Sequence, residues 1–395
     1  MKKLRIALAV LIFLGVGLTG LILRVSGAFQ SPTYLEAWSP EYHKQFQDPR
    51  LRLAAHGLLA PSAHNMQSWK IMPSREDANT FTLFVDTNRL LPQTDPPSRQ
   101  ITISQGTFLE LVNIAAAQAG LKADIKLFPS GEFDTAGSVE SMQKLPVATI
   151  TTAADETVQK SDLYPLIFQR VTARVPYLDE PLSPEQVKAF TDLNTNSWLE
   201  LRIIQEPKQL GRLRELAMDG VATESYSQPH MKESEQVFRG NEYAKNKFRD
   251  GITLDSQGTS GAMLLFLQAG GTLFPPSELQ QGEFWRKAAR VRTTATPAYA
   301  IITSYTNTRM EQVETGRLYA RLQLAGAKAG ISMQPQSQVL QEYKEMSKLY
   351  KKVHEEFTSN NRTIQMLIRL GKAEKKVGHS PRRDLRDLIV RDTTP

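Results

Sequence analysis

Residues 6–23 form one apolar run without a charge, I-A-L-A-V-L-I-F-L-G-V-G-L-T-G-L-I-L. At about 1.5 Å per residue such a helix spans roughly 27 Å, close to the hydrocarbon core of a bilayer. Lys2, Lys3 and Arg5 precede the run and Arg24 closely follows it. That asymmetry sets the N-terminus on the cytoplasmic side and the body of the chain outside the cytoplasmic membrane. The run is longer than a signal core of roughly 7–15 residues, so residues 1–24 are expected to be an uncleaved transmembrane anchor. The alternative is secretion after cleavage at the small residues Ser26-Gly27-Ala28.

Beyond a spacer expected at residues 25–49, the pattern alternates between helical and strand periods. Leu51, Leu53, Ala54, Leu58 and Leu59 recur at helical steps until Pro61 stops the helix. Phe81 to Val85 alternates as a strand does, and Pro146 to Thr151 predicts another. A helix is predicted from Gly106, capped by Gly120, and a further helix–strand pair at Pro184 to Leu193 and Leu199 to Ile204.

A repeat runs through these elements. Laid on residues 106–121, residues 316–331 (G-R-L-Y-A-R-L-Q-L-A-G-A-K-A-G-I) are identical at five positions, with Arg321 the only charge at a core position. The stretch Leu193 to Trp198 stands between helix and strand as residues 64–69 do, but at an offset of 129 rather than 210. The difference predicts an insertion at about 206–292, rich in glycine and expected to be a loop-like lid. The halves are then 50–155 and 156–395.

Composition narrows the chemistry. The chain has 395 residues and no cysteine, which excludes disulfides and lipidated cysteine. Its net charge of +7 gathers at the ends, with 13 Lys/Arg against 7 Asp/Glu over residues 344–395. No nucleic-acid module accompanies that tail, so polynucleotide binding is not expected. No metal-ligand spacing occurs among the six histidines, and no metal is expected. A G-x-G-x-x-G match at residues 15–20 lies inside the apolar run, with no strand before it, and carries nothing.

Two polar stretches are left. The first is A-P-S-A-H-N-M-Q-S-W, residues 60–69, where small residues allow a planar ligand close to the main chain and amides meet its polar edge. An ordinary turn capped by Ser62 and Asn65 is the plainer reading. The second is R-V-T-A-R, in which Arg170, Thr172 and Arg174 alternate and would offer a phosphate two guanidiniums and a hydroxyl from one side. An exposed basic strand is the plainer alternative there.

The motif A-P-S-x-x-N-x-Q-x-W resembles the signature of the nitroreductase superfamily, with Ser68 where the family usually has proline. R-x-T-x-R resembles the family's phosphate element, and Pro381-Arg382-Arg383 its C-terminal ending. The tandem single-chain arrangement is similar to the Acg-like subgroup. The resemblance implies an α+β nitroreductase-like fold of two pseudo-symmetric halves, each a mixed or antiparallel sheet flanked by helices, after one N-terminal transmembrane helix. It implies one FMN between the halves, held by Arg170, Thr172, Arg174, Pro61, Ser62, Asn65, Arg382 and Arg383, with no catalytic side chain. At the offset of 129 the first half has Glu41, His43 and Gln45 in place of the cradle, so only one complete site is expected. NAD(P)H, a quinone or a redox protein would supply electrons; the alternative is a protein that sequesters FMN with little turnover.

Overall fold

The computed structural model describes residues 2–359 and 361–390, with the side chains of 2, 3, 6–10 and 12 outside the description. Helix α1 (Lys2–Ser26) precedes the first half, which comprises α2 (Pro49–Gly57), β1 (Trp69–Pro73), β2 (Thr80–Val85), α3 (Arg99–Gln118), β3 (Leu121–Leu127), α4 (Val139–Lys144) and β4 (Ala148–Ala154). The second begins with α5 (Pro184–Thr191) and β5 (Leu199–Ile204). It continues through α6 (Pro207–Tyr226), α7 (Gln228–Gln236), β6 (Phe238–Arg239), α8 (Glu242–Phe248), β7 (Ile252–Thr253), α9 (Gly261–Leu273) and α10 (Glu278–Thr294). It closes with β8 (Ala298–Ser304), α11 (Arg309–Ala329), β9 (Ser332–Pro335), α12 (Ser347–Phe357) and β10 (Thr363–Gly371).

Two four-stranded antiparallel sheets result, ordered β1-β2-β4-β3 and β5-β8-β10-β9. Each places a long helix, α3 or α11, between its second and third strands in sequence, so the two sheets have one topology. Both helices begin earlier than their apolar periodicity predicts, because Arg99, Thr102, Ser104 and Gln105 of α3 are buried despite being polar. Thr308 and Glu311 form a capping box at the start of α11, and left-handed Gly330 ends it.

The two long helices cross at related residues. A Cβ on Gly106 would stand 1.8 Å from the Val313 carbonyl oxygen, and one on Gly316 would stand 1.9 Å from that of Ile103. Both pairs are related by the offset of 210, so the contact is isologous, like that across a two-fold axis. Arg321 faces Glu110 of α3 at 3.0 Å, with Arg317 on the same carboxylate at 2.9 Å. The one charge at a core position of the repeat thus meets a buried partner.

Three features differ from the sequence expectations. Residues 25–49 are packed rather than free: Tyr34, Trp38, Tyr42 and Phe46 are buried, an aromatic every fourth residue that marks a packed face. The insertion lies between β5 and β8 and is mostly helix, since Gly270 and Gly271 sit within α9 instead of breaking it. No helix among the described residues is long and apolar enough to cross a membrane; the run at 6–23 lies partly outside them, at residues 6–10 and 12. After β10 the chain crosses to the first half, where Val390 donates to the Ile71 carbonyl at 2.9 Å.

Within the insertion, α6 buries Glu224. Burial pushes its pKa up to about 8; a hydrogen bond with Gln341 opposes this, and the Glu233 carboxylate adds to it. A carboxyl raised in the fold favours folding fully below its unfolded pKa of about 4.3, and that contribution is lost as pH rises to about 8. Glu224→Gln should therefore gain stability over the unsubstituted chain from about pH 4.3 upward. The gain rises by at most about 1.4 kcal/mol per pH unit and levels off near pH 8. Urea midpoints across that range test it, and a pH-independent difference would refute it.

Candidate functional site

The turn after α2 is strained. His64, Asn65 and Gln67 all have positive φ, at 45°, 57° and 52°, a conformation costing non-glycine residues of order 1 kcal/mol or more each. The surroundings hold it. Ser62 Oγ accepts from the Gln67 amide at 3.0 Å, the Ala63 amide donates to Ser104 Oγ at 3.0 Å, and Thr107 donates to the Pro61 carbonyl at 2.6 Å. Asn65 Nδ2 donates to the carbonyls of Gly251 and Pro381, while Gln67 Nε2 donates to that of Arg249. The two amides thus clamp the turn to the insertion and to the C-terminal segment. Trp69 is fully buried and donates to the Ser104 carbonyl at 3.0 Å. Trp198, its partner at the offset of 129, is exposed.

The second polar stretch meets this turn. Arg170 donates to the Leu59 carbonyl at 2.6 Å and to Gln323 Oε1 at 2.7 Å. Gln323 in turn donates to Thr172 Oγ1 at 3.2 Å. Arg382 donates to Asn65 Oδ1, Ser380 Oγ and the Pro381 carbonyl at 2.8 Å each, and to the Leu59 and Ala60 carbonyls at 3.2 Å. Arg383 reaches the Gln67 carbonyl at 3.0 Å and Asp86 at 3.2 Å. The guanidiniums of Arg170, Arg382 and Arg383 are therefore engaged by the protein itself, chiefly by main-chain carbonyls. Trp38 lies over Arg382 at 4.5 Å and stacks on His379 at 4.1 Å, roofing this end.

Arg174 differs. It forms no hydrogen bond or ion pair with any described residue, and burial lowers its pKa, with Tyr319 and Tyr177 acting against that. Two arginines without a sequence motif stand near it. Arg292, at the end of α10, is buried and donates to Gln257 at 2.7 Å; burial, then Arg369 and Arg174, lowers its pKa to about 10. Arg369 of β10 donates to the carbonyls of Arg292 at 2.6 Å and Val175 at 3.3 Å, tying α10 to the segment that carries Arg174. With Trp285, Gln334 and Gln336, Arg292 and Arg369 line a cavity of ≈ 20 Å³. Nothing in the R-V-R sequence at 290–292 signalled this; only the fold places it here.

His64 also carries a ring nitrogen without a partner. Its Nδ1 is buried and unbonded, and burial lowers its pKa to about 4, against Glu233 and with Arg174. It is a neutral imidazole at pH 7. The site thus joins an uncompensated cationic pocket to a strained turn bearing an uncharged ring with an open polar atom. Such a pair can hold a molecule with an anionic end and a polar planar end. Among the described residues no group of His, Asp or Glu could hold a metal ion.

No family model matches the chain. It is 34% identical over 125 residues to "Uncharacterized protein Rv3127" of Mycobacterium tuberculosis, covering 31% of this chain and 33% of that protein. It is 38% identical over 71 residues to "Putative NAD(P)H nitroreductase acg" of the same organism, covering 18% and 20%. Each match spans a third or less of the relative's length. Among solved structures, the FMN-dependent nitroreductase NfnB from Mycobacterium smegmatis in complex with NADPH is 20% identical, covering 58% of this chain and 95% of that chain at a TM-score of 0.34. A nitroreductase with bound FMN from Bacteroides fragilis is 10% identical, covering 57% and 95% at a TM-score of 0.33. The chain thus shares partial homology with the mycobacterial Acg protein and with Rv3127.

Proposed function

We propose that the chain is an FMN-binding oxidoreductase of nitroreductase type, with one flavin site built between its halves. The carrying observation is Arg174, a partly buried guanidinium with no hydrogen-bond partner or counter-charge among the described residues, beside a turn pinned by Arg170 and Arg382. A guanidinium with uncommitted donors is free to form charge-assisted hydrogen bonds, and a phosphate would take them. The residues fit FMN in this way: Arg174 and Arg292 have donors left for its phosphate, Thr172 a hydroxyl for its chain, and Ser62, Ala63 and His64 a strained turn for its rings. Arg170, Arg382 and Arg383 hold the turn in shape, and so serve the site by positioning. Bound FMN would supply hydride or electron transfer; the side chains bind it, orient it and exclude water.

The common topology of the two sheets and the reciprocal Gly106–Gly316 contact support descent from a duplicated unit, one half keeping the turn and the other the cradle. The uncharged run at 6–23, with its basic flank, supports a membrane anchor with the body on the extracytoplasmic side. There a quinol or a redox protein would be the donor in place of NAD(P)H. A second reading, sequestration of FMN without turnover, is favoured by the hydrogen bonds that Asn65 and Gln67 make to Gly251 and Arg249 of the insertion. These shut the insertion over the turn.

The purified chain should absorb near 450 nm, and Arg174→Ala should lose that absorbance while its unfolding midpoint stays unchanged. Arg170→Ala should lose the colour and also roughly 2–3 kcal/mol, because Leu59 and Gln323 lose a buried donor. Full flavin content in Arg174→Ala would end the assignment. Reduction by a quinol followed by reoxidation would favour the enzyme; a flavin that only dithionite reduces would favour sequestration.

A further inference from the structure

A second uncharged stretch lies in the middle of the insertion: from Ser256 to Ser277 there is no Asp, Glu, Lys or Arg. It contains α9, which is apolar almost throughout, and the turn into α10. Large apolar side chains face water there, Met263, Phe266 and Phe274, and on the first turns of α10, Leu279 and Phe284; Phe274 is 79% exposed. Contiguous apolar surface of this kind marks an interface.

The placement says with what. α9 packs against α1, and Tyr243 of α8 donates to the Arg24 carbonyl at 3.1 Å, fixing the end of α1 to the insertion. On α1 itself Leu11, Phe13, Leu14, Val16 and Leu18 are exposed. At 100° per residue these five spread over about 220° of the helix, and an exposed apolar face that wide suits lipid rather than one partner's groove. The thirteen residues of α9 reach only about 20 Å, too short to cross a bilayer and of the length that lies in its interface.

We propose that the α9–α10 hairpin dips into the bilayer that α1 enters, giving the insertion a second membrane contact. The occupant of the apolar face is lipid. The proposal rests on the membrane reading of α1 and goes beyond it, since an anchor alone would leave Phe274 in water. From that edge α10 runs inward to Trp285 and Arg292 at the cationic pocket.

The test uses the full chain, which has no cysteine, carrying Phe274→Cys labelled with an environment-sensitive fluorophore. A Lys122→Cys label on exposed β3 serves as the control. The labelled proteins are mixed with phosphatidylcholine–phosphatidylglycerol vesicles and floated. The expected result is a blue shift at position 274, quenching by doxyl-labelled lipid and a severalfold loss of quenching by aqueous iodide, with no change at position 122. A chain that floats while position 274 stays open to iodide overturns the hairpin contact and leaves the anchor standing. A chain that does not float overturns both.

Discussion

Gly316→Ala should unfold at a far lower urea concentration than the unsubstituted chain, with a loss of about 3 kcal/mol or more. An alanine in a helix interior ordinarily gains about 0.5–1 kcal/mol over glycine. Here the methyl carbon would stand 1.9 Å from the Ile103 carbonyl oxygen and 3.0 Å from the Cα of Gly106. Those atoms belong to main chain in the centre of α3, so no side chain can swing aside, and α3 and α11 must separate. Gly106→Ala should cost a similar amount, because its contact with Val313 is the mirror of the first. The double substitution should cost less than the sum, since one separation relieves both clashes. Gly211→Ala on α6 is the control: no heavy atom lies within 4 Å of its added carbon, and it should gain stability. If Gly316→Ala behaves as Gly211→Ala does, the crossing of the two helices is misplaced.

Arg382→Met should cost about 3–5 kcal/mol and take the flavin with it. The side chain is 1% exposed. Its donors meet Asn65 Oδ1, Ser380 Oγ and the carbonyls of Leu59, Ala60 and Pro381. Methionine fills the space and supplies no donor, so these buried acceptors lose their partner and the three positive-φ residues of the turn lose a clamp. Lysine should rescue poorly, because one ammonium cannot replace a planar fork that serves five acceptors. Urea unfolding followed by absorbance and by hydrogen exchange of residues 62–67 would show the coupling. The contrast with Arg174 is the sharper result: one arginine should remove the colour and leave the fold, the other should remove both. Equal stability of the two variants would show that Arg382 does not hold the turn.

Much of the architecture could be read from the chain alone. Helical and strand periods located α2, β2, α5 and β5, and the repeat at an offset of 210 gave the two residues, Gly106 and Gly316, at which the long helices touch. Periodicity reports which faces are apolar, and for those elements burial follows apolarity. It misled where burial is polar: Arg99 to Gln105 hid the first two turns of α3, and the aromatic spacing from Tyr34 to Phe46 was obscured by prolines and charges. Motif spacing placed Arg170 and the Ser62 turn in one account, but donor counts are invisible in a sequence. Only the tertiary structure decided that Arg170, Arg382 and Arg383 bind main-chain carbonyls while Arg174 stays uncommitted, and that Arg292 arrives from the insertion to stand near it. Sequence specifies which groups can make a bond; which bonds they make depends on neighbours hundreds of residues away, brought within 3 Å by folding.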